Sequence, residues 1–159
     1  MSLAERLQAE LTTAMRKQDA LRRETLRMAV AALYGAEKDA RRPLTDDERL
    51  AVLTREVKRR RESVDAYRDA NRPDLAEKEE AELRVLAEFM PAAIPEDELR
   101  AMVLAAIEQT GASSARDLGR VMSILAPRTR GRADGKVVSG LVAQELARRD
   151  LSGHEQEHR

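Results

Sequence analysis

The chain has 159 residues, and its 29 Lys and Arg balance 29 Asp and Glu to a formal net charge of zero. Charged residues make up 36% and aromatic ones 2%, which suits packed amphipathic helices built on Leu, Val, Ala, Met and Ile and argues against sandwiches and barrels. The absence of cysteine excludes disulfide frameworks, thiolate metal sites and cysteine nucleophiles.

Apolar residues recur at helical spacing along the chain. Leu3, Leu7, Leu11 and Met15 form a first stripe. Leu26, Ala29, Val30 and Leu33 form a second, ended by Arg41-Arg42-Pro43. Thr45 and Glu48 have capping-box spacing, in which each side chain satisfies the other's free backbone N–H. They open a long third helix with Leu50, Leu53, Val57, Val64 and Tyr67 on one side. Asn71-Arg72-Pro73 ends it, because the residue before a proline is pushed out of the α region. Pro73 can then open a fourth helix carrying Leu75, Leu83, Leu86 and Met90. Short turns imply antiparallel neighbours, hence a bundle or two stacked hairpins.

Met90-Pro91 and Ile94-Pro95 mark a boundary. Beyond it, Leu99, Met102, Val103, Ala106 and Ile107 predict a fifth helix that stops near Gly111. Ser114 and Asp117 begin a sixth with Leu118, Val121, Met122 and Leu125, and Asp134 caps a seventh with Val137, Val138, Leu141, Val142 and Leu146. The expectation is an all-α fold, with an N-terminal four-helix bundle-like subdomain over residues 1–90 and a small C-terminal three-helix bundle over 96–148. Three helices this short need one another. Residues 151–159 have no apolar face and are expected to form a frayed tail. No apolar run approaches the roughly 20 residues that cross a bilayer, and Met1 to Gln18 is too charged for a signal peptide. A soluble, cytoplasmic protein without membrane association is expected.

The chemistry-bearing residues gather in two basic clusters. Arg128, Arg130, Arg132 and Lys136 crowd a glycine-punctuated loop in which only Asp134 opposes them. Glycine lets a backbone approach a ligand, a helix N-terminus follows, and guanidinium groups fork onto phosphate oxygens, so the loop can hold an anion. It is not a nucleotide loop of the Walker type: its glycines lie too close, and Val137 follows Lys136. The competing reading is a turn whose glycines supply positive φ and whose arginines are merely solvated. The second cluster, Lys58-Arg59-Arg60-Arg61, points in four directions on a helix. Lys58, Arg59 and Arg61 are candidate RNA contacts. Arg60 lies beside the apolar stripe, where it can snorkel or pair with an acid of the fourth helix. An ion-pair-laced hairpin competes with RNA contact there.

His154-Glu155-Gln156-Glu157-His158 matches HExxH, but it follows Gly153 and has neither a third ligand nor an apolar neighbour. It is read as coincidence. Adjacent serines occur only at Ser113 and Ser114, at a helix start, and the next lysine is Lys136. The histidines lie in the tail, so no acyl-transfer triad is supported. No catalytic residue, metal or cofactor is expected.

Four segments in order resemble a known family. They are RETLRMAVAALYGAEKDARRPLTDDE from Arg23, KRRRESVDAYRDANRPDLAEKEEAEL from Lys58, FMPAAIPEDEL from Phe89 and GASSARDLGRVMSILAPRTRGRADGKVVSGLV from Gly111. Together they resemble the small free-standing proteins of the GatB/YqeY family, and the last is similar to the tail of the B subunit of glutamyl/aspartyl-tRNA amidotransferases. Met90 stands where the family's aromatic-Leu-Pro junction has Leu, and past about Leu151 the resemblance ends. The resemblance implies a non-catalytic module that contacts tRNA and presents it to catalytic sites on other polypeptides, amidotransferase subunits among them. Membership of glutamine-dependent carbon–nitrogen ligase systems comes with the family, not with this chain's own residues. Scarce aromatics point to phosphate and shape contacts rather than base stacking. The alternative is a protein–protein interaction scaffold with no nucleic-acid role, docking through Val121, Met122 and Leu125. Zero net charge favours that reading, since nucleic-acid binders carry a basic excess.

Overall fold

The computed structural model describes residues 1–157. Among them are seven α-helices, one short 3-10 turn and no strand, so the chain is all-α. The helices are α1 (Leu3–Arg16), α2 (Ala20–Ala40), α3 (Asp46–Asp69), α4 (Pro73–Ala87), α5 (Glu96–Thr110), α6 (Leu118–Thr129) and α7 (Gly135–Glu157), with the 3-10 turn at Ala115–Asp117 before α6. The chain divides into two compact units, Met1–Pro91 and the part from Ala92 onward.

Helix starts in the first unit follow local chemistry. Ser2 and Glu5 form a capping box on α1, with Ser2 N–H donating to the Glu5 carboxylate at 2.8 Å. Thr45 and Glu48 do the same on α3: Thr45 N–H donates to Glu48 at 2.8 Å and Glu48 N–H to Thr45 Oγ1 at 3.2 Å. Arg42 forks onto the same Glu48 carboxylate, and this guanidinium, with the Thr45 N–H second, holds its pKa at about 2. The three turns between these helices each place a non-glycine residue at positive φ: Gln18, Arg41 and Asn71. Such a residue closes a helix by turning its N–H back onto the last carbonyls, at a steric cost that glycine would not incur.

Each helix of this unit contributes one fully buried leucine to the core: Leu7, Leu26, Leu53 and Leu86. Helix α1 packs chiefly on α2 and α3 chiefly on α4, while α2 also touches both α3 and α4. Phe89 is buried at the edge of this core, with the Arg6 guanidinium 5.5 Å from its ring centroid. The buried stripes are slightly out of phase with the expected ones. Ala14 is buried and Met15 exposed; Val52, Ala76 and Val85 are buried where Leu50, Leu75 and Leu83 are only partly so. Small side chains such as Ala14 and Ala76 can occupy buried positions that a stripe drawn through the bulkiest residues misses.

In the second unit Ile107, Val121, Leu125, Val138, Val142 and Leu146 are fully buried between α5, α6 and α7. Ile94, in the segment ahead of α5, joins them. One expectation is corrected at the far end. The tail expected over residues 151–159 is helix as far as Glu157, where α7 ends, and 158–159 lie outside the described residues. Glu145 explains part of this persistence: its carboxylate accepts from Arg148 at 2.6 Å and Arg149 at 3.2 Å, pairs spaced to support a helix. No helix among the described residues is long and apolar enough to cross a membrane.

Candidate nucleic-acid interface

The basic residues expected in a loop lie at a corner between two helices. Helix α6 runs through Pro127 and Arg128 to Thr129, further than the glycines and Pro127 suggested. Pro127 is tolerated there because it falls in the last turn and forfeits a single backbone bond. Thr129 is buried and its hydroxyl donates to Leu125 O at 3.0 Å. Its own carbonyl then accepts from the N–H groups of Arg132 at 2.9 Å and Ala133 at 3.0 Å, closing the corner. Gly131 makes that closure possible at φ +73°, a left-handed value favoured by glycine. Asp134 starts α7, its carboxylate accepting from Lys136 N–H at 2.9 Å and its carbonyl from Val138 N–H at 3.0 Å.

Four cations therefore follow one another around the corner: Arg128 on the last turn of α6, Arg130 capping it, Arg132 in the corner and Lys136 on the first turn of α7. Arg128, Arg130 and Lys136 are exposed. None of the four is in an ion pair among the described residues, although arginines elsewhere in the chain are widely paired. Asp134, the one acid nearby in sequence, is occupied in capping. The arrangement offers free guanidinium and ammonium groups beside the positive end of a helix, which suits phosphate oxygens.

Arg132 differs from its neighbours in a way that sequence reasoning missed. It is half-buried, its Nε donates to Ala92 O at 3.2 Å, and its carbonyl accepts from Ile94 N–H at 2.9 Å. It pins the segment ahead of α5 onto the corner. A contact across this sequence distance leaves no local pattern to read.

The second cluster is split by its own helix. Lys58, Arg59 and Arg61 are exposed on α3, and Arg59 lies 3.5 Å from Glu56. Arg60 turns inward as expected: its side chain is 5% exposed, with Nε 3.2 Å from Glu82 of α4 and a terminal nitrogen 3.1 Å from Glu56. The three exposed residues lie in the first unit and the corner in the second.

The surface offered for a protein scaffold is corrected. Val121 and Leu125 are fully buried in the core of the second unit and Met122 is partly buried, so they hold α6 in place and are not a docking face. Ser113 and Ser114 are structural too. Both backbone N–H groups donate to the Asp117 carboxylate, at 2.9 and 3.4 Å, and these bonds, Ser113 first, lower its pKa. Among the described residues no group of three or more His, Asp or Glu is placed to hold a metal ion. Of the HExxH match, His154 is exposed on α7 and His158 lies outside the described residues.

Comparison with known proteins gives relatives along most of the chain. It is 35% identical over 141 residues to the altered inheritance of mitochondria protein 41, mitochondrial, of Pyrenophora tritici-repentis, covering 84% of this chain and 75% of that protein. The protein of the same name in Eremothecium gossypii is 32% identical over 90 residues, 56% of this chain and 49% of that one. An uncharacterized Schizosaccharomyces pombe protein is 36% identical over 67 residues, 42% of this chain and 54% of that one. The chain thus spans three quarters of the first relative and about half of the other two. The family model described as Yqey-like protein matches residues 4–146, which takes in all of α2 to α6 and most of α1 and α7, and the chain belongs to that family.

Proposed function

We propose that the chain is a non-catalytic helical module whose α6–α7 corner binds the phosphates of structured RNA, tRNA above all. In this reading it serves glutamine-dependent amidotransferase systems by presenting RNA to active sites on other polypeptides. The observation that carries the reading is the set of exposed cations Arg128, Arg130 and Lys136 at the α6–α7 corner, unpaired among the described residues. Lys58, Arg59 and Arg61 would add weaker contacts from α3. We also place the protein in the cytoplasm; two relatives carry "mitochondrial" in their names, so fractionation of native cells decides that point.

The test is a titration against total tRNA and against duplex DNA at several salt concentrations. Phosphate contacts release counterions, so log affinity should fall with log salt by about 0.7–0.9 per contact. Replacing Arg128, Arg130 and Lys136 with alanine should flatten that slope by about 2–3 and weaken tRNA binding. Arg132 belongs in a separate variant, because losing it also frees Ala92. Equal binding by wild type and the triple variant would remove the corner as the RNA site.

A further inference from the structure

Helix α7 runs on well past the core it serves. Its last fully buried residue is Leu146, yet the helix extends to Glu157. Along a different side of the same helix run Val137, Leu141, Gln144, Arg148, Leu151 and Glu155. Their spacing is 4, 3, 4, 3, 4, the a/d spacing of a coiled-coil seam. Two of the three apolar members are exposed, Val137 at 53% and Leu151 at 69%, and Leu141 is partly buried. Beside this seam, between α5 and α7, is a groove of about 290 Å³ whose apolar lining is Val103, Leu104 and Leu141, with Arg100 and Arg148 among its charged residues. Leu104 is itself 41% exposed.

The seam complements itself in one orientation. Run antiparallel about a two-fold axis near residue 146, it matches Leu141 to Leu151 of the other copy and Gln144 to Arg148, each twice. Glu155 then ends opposite Val137 of the other copy. At the crossing, the Glu145–Arg148 pair of each copy meets that of the other, four charges of alternating sign. A parallel pairing would instead stack Arg148 on Arg148 and Glu155 on Glu155, like charges in one layer. The isologous arrangement is also the usual one for identical chains.

We propose that this α7 seam binds a second copy of the chain antiparallel, each Leu151 entering the groove of Val103, Leu104 and Leu141 on the other. The contact is modest. A seam about 27 Å long and about 10 Å wide covers a few hundred Å² per copy, well under the roughly 800 Å² per partner of a stable interface. The dimer is therefore weak and forms at high concentration.

Sedimentation equilibrium of the full chain, without nucleic acid, from low micromolar to near-millimolar concentration tests it. The mass should climb from the 17.8 kDa of one copy toward twice that value. Leu151→Glu and Leu104→Glu each change an exposed side chain and should each hold the protein at one copy throughout. Because the chain has no cysteine, a mixture of Gln144→Cys and Arg148→Cys chains, oxidised near-millimolar, should trap a dimer containing one of each. A protein that stays at one copy at all concentrations overturns the proposal. So does a dimer that survives both glutamate variants, since it would use another surface.

Discussion

Replacing Arg60 with methionine should destabilise the N-terminal unit by about 3–5 kcal/mol. Methionine keeps much of the arginine's apolar stem, so the change is chiefly removal of a cation from between two carboxylates. The Glu56 and Glu82 side chains are 12% and 9% exposed, and Arg60 only 5%. Removing one member of such a buried pair costs about 3–5 kcal/mol, because the other is left charged without a partner.

Urea unfolding followed by tyrosine fluorescence reads this cleanly, since Tyr34 and Tyr67 are the only tyrosines, both lie in the first unit, and there is no tryptophan. Far-UV circular dichroism reads both units. Combining Arg60→Met with Glu82→Leu should recover most of the loss at pH 7, because apolar replacement of a buried pair is often neutral. A loss that the added Glu82→Leu leaves undiminished would refute the electrostatic argument and leave lost packing as the cause.

Three further outcomes follow from the turns and caps. Arg41 sits at φ +56° at the end of α2; Arg41→Gly should raise stability by about 1 kcal/mol, seen as a higher urea midpoint in tyrosine fluorescence. Gly131→Ala should do the opposite in the second unit by about 1–2 kcal/mol, seen as a lower melting temperature by circular dichroism. Arg148, and Arg149 after it, hold the Glu145 pKa down at about 2. That depressed value means its contribution is complete above the ordinary glutamate range and lost as pH falls toward 2. Glu145→Gln should therefore weaken α7 at neutral pH and make no difference near pH 2, measured by amide exchange along the helix.

The periodic part of the fold could be read from sequence because α-helices write their buried face every third or fourth residue. Leu7, Leu26, Leu53, Leu86, Ile107, Leu125 and Leu146 all follow that rule. The capping box at Thr45 and Glu48 was equally legible, being a pair three residues apart. What escaped was non-periodic or non-local. Ala14 and Ala76 are buried without being bulky. Val121 and Leu125 could not be told from a docking face, since a stripe shows that a face is apolar but not what covers it. Helix α7 continues past Leu151 without burial there, and only the pairs of Glu145 one turn earlier give local support. At the basic corner, residue identities were plain from the sequence, while the engagement of Arg132 with Ala92 and Ile94 was not.

That engagement sets where the chain can be cut. The carbonyl of Ala92 and the amide of Ile94 stand four and two residues ahead of α5, yet they brace the basic corner. A C-terminal fragment started at Glu96, where its first helix begins, would lack both partners and the buried Ile94 side chain as well. One started at Ala92 would keep them. Dissection, grafting or fusion of this unit should respect the earlier boundary, because four residues that look like linker are part of the basic corner's scaffold.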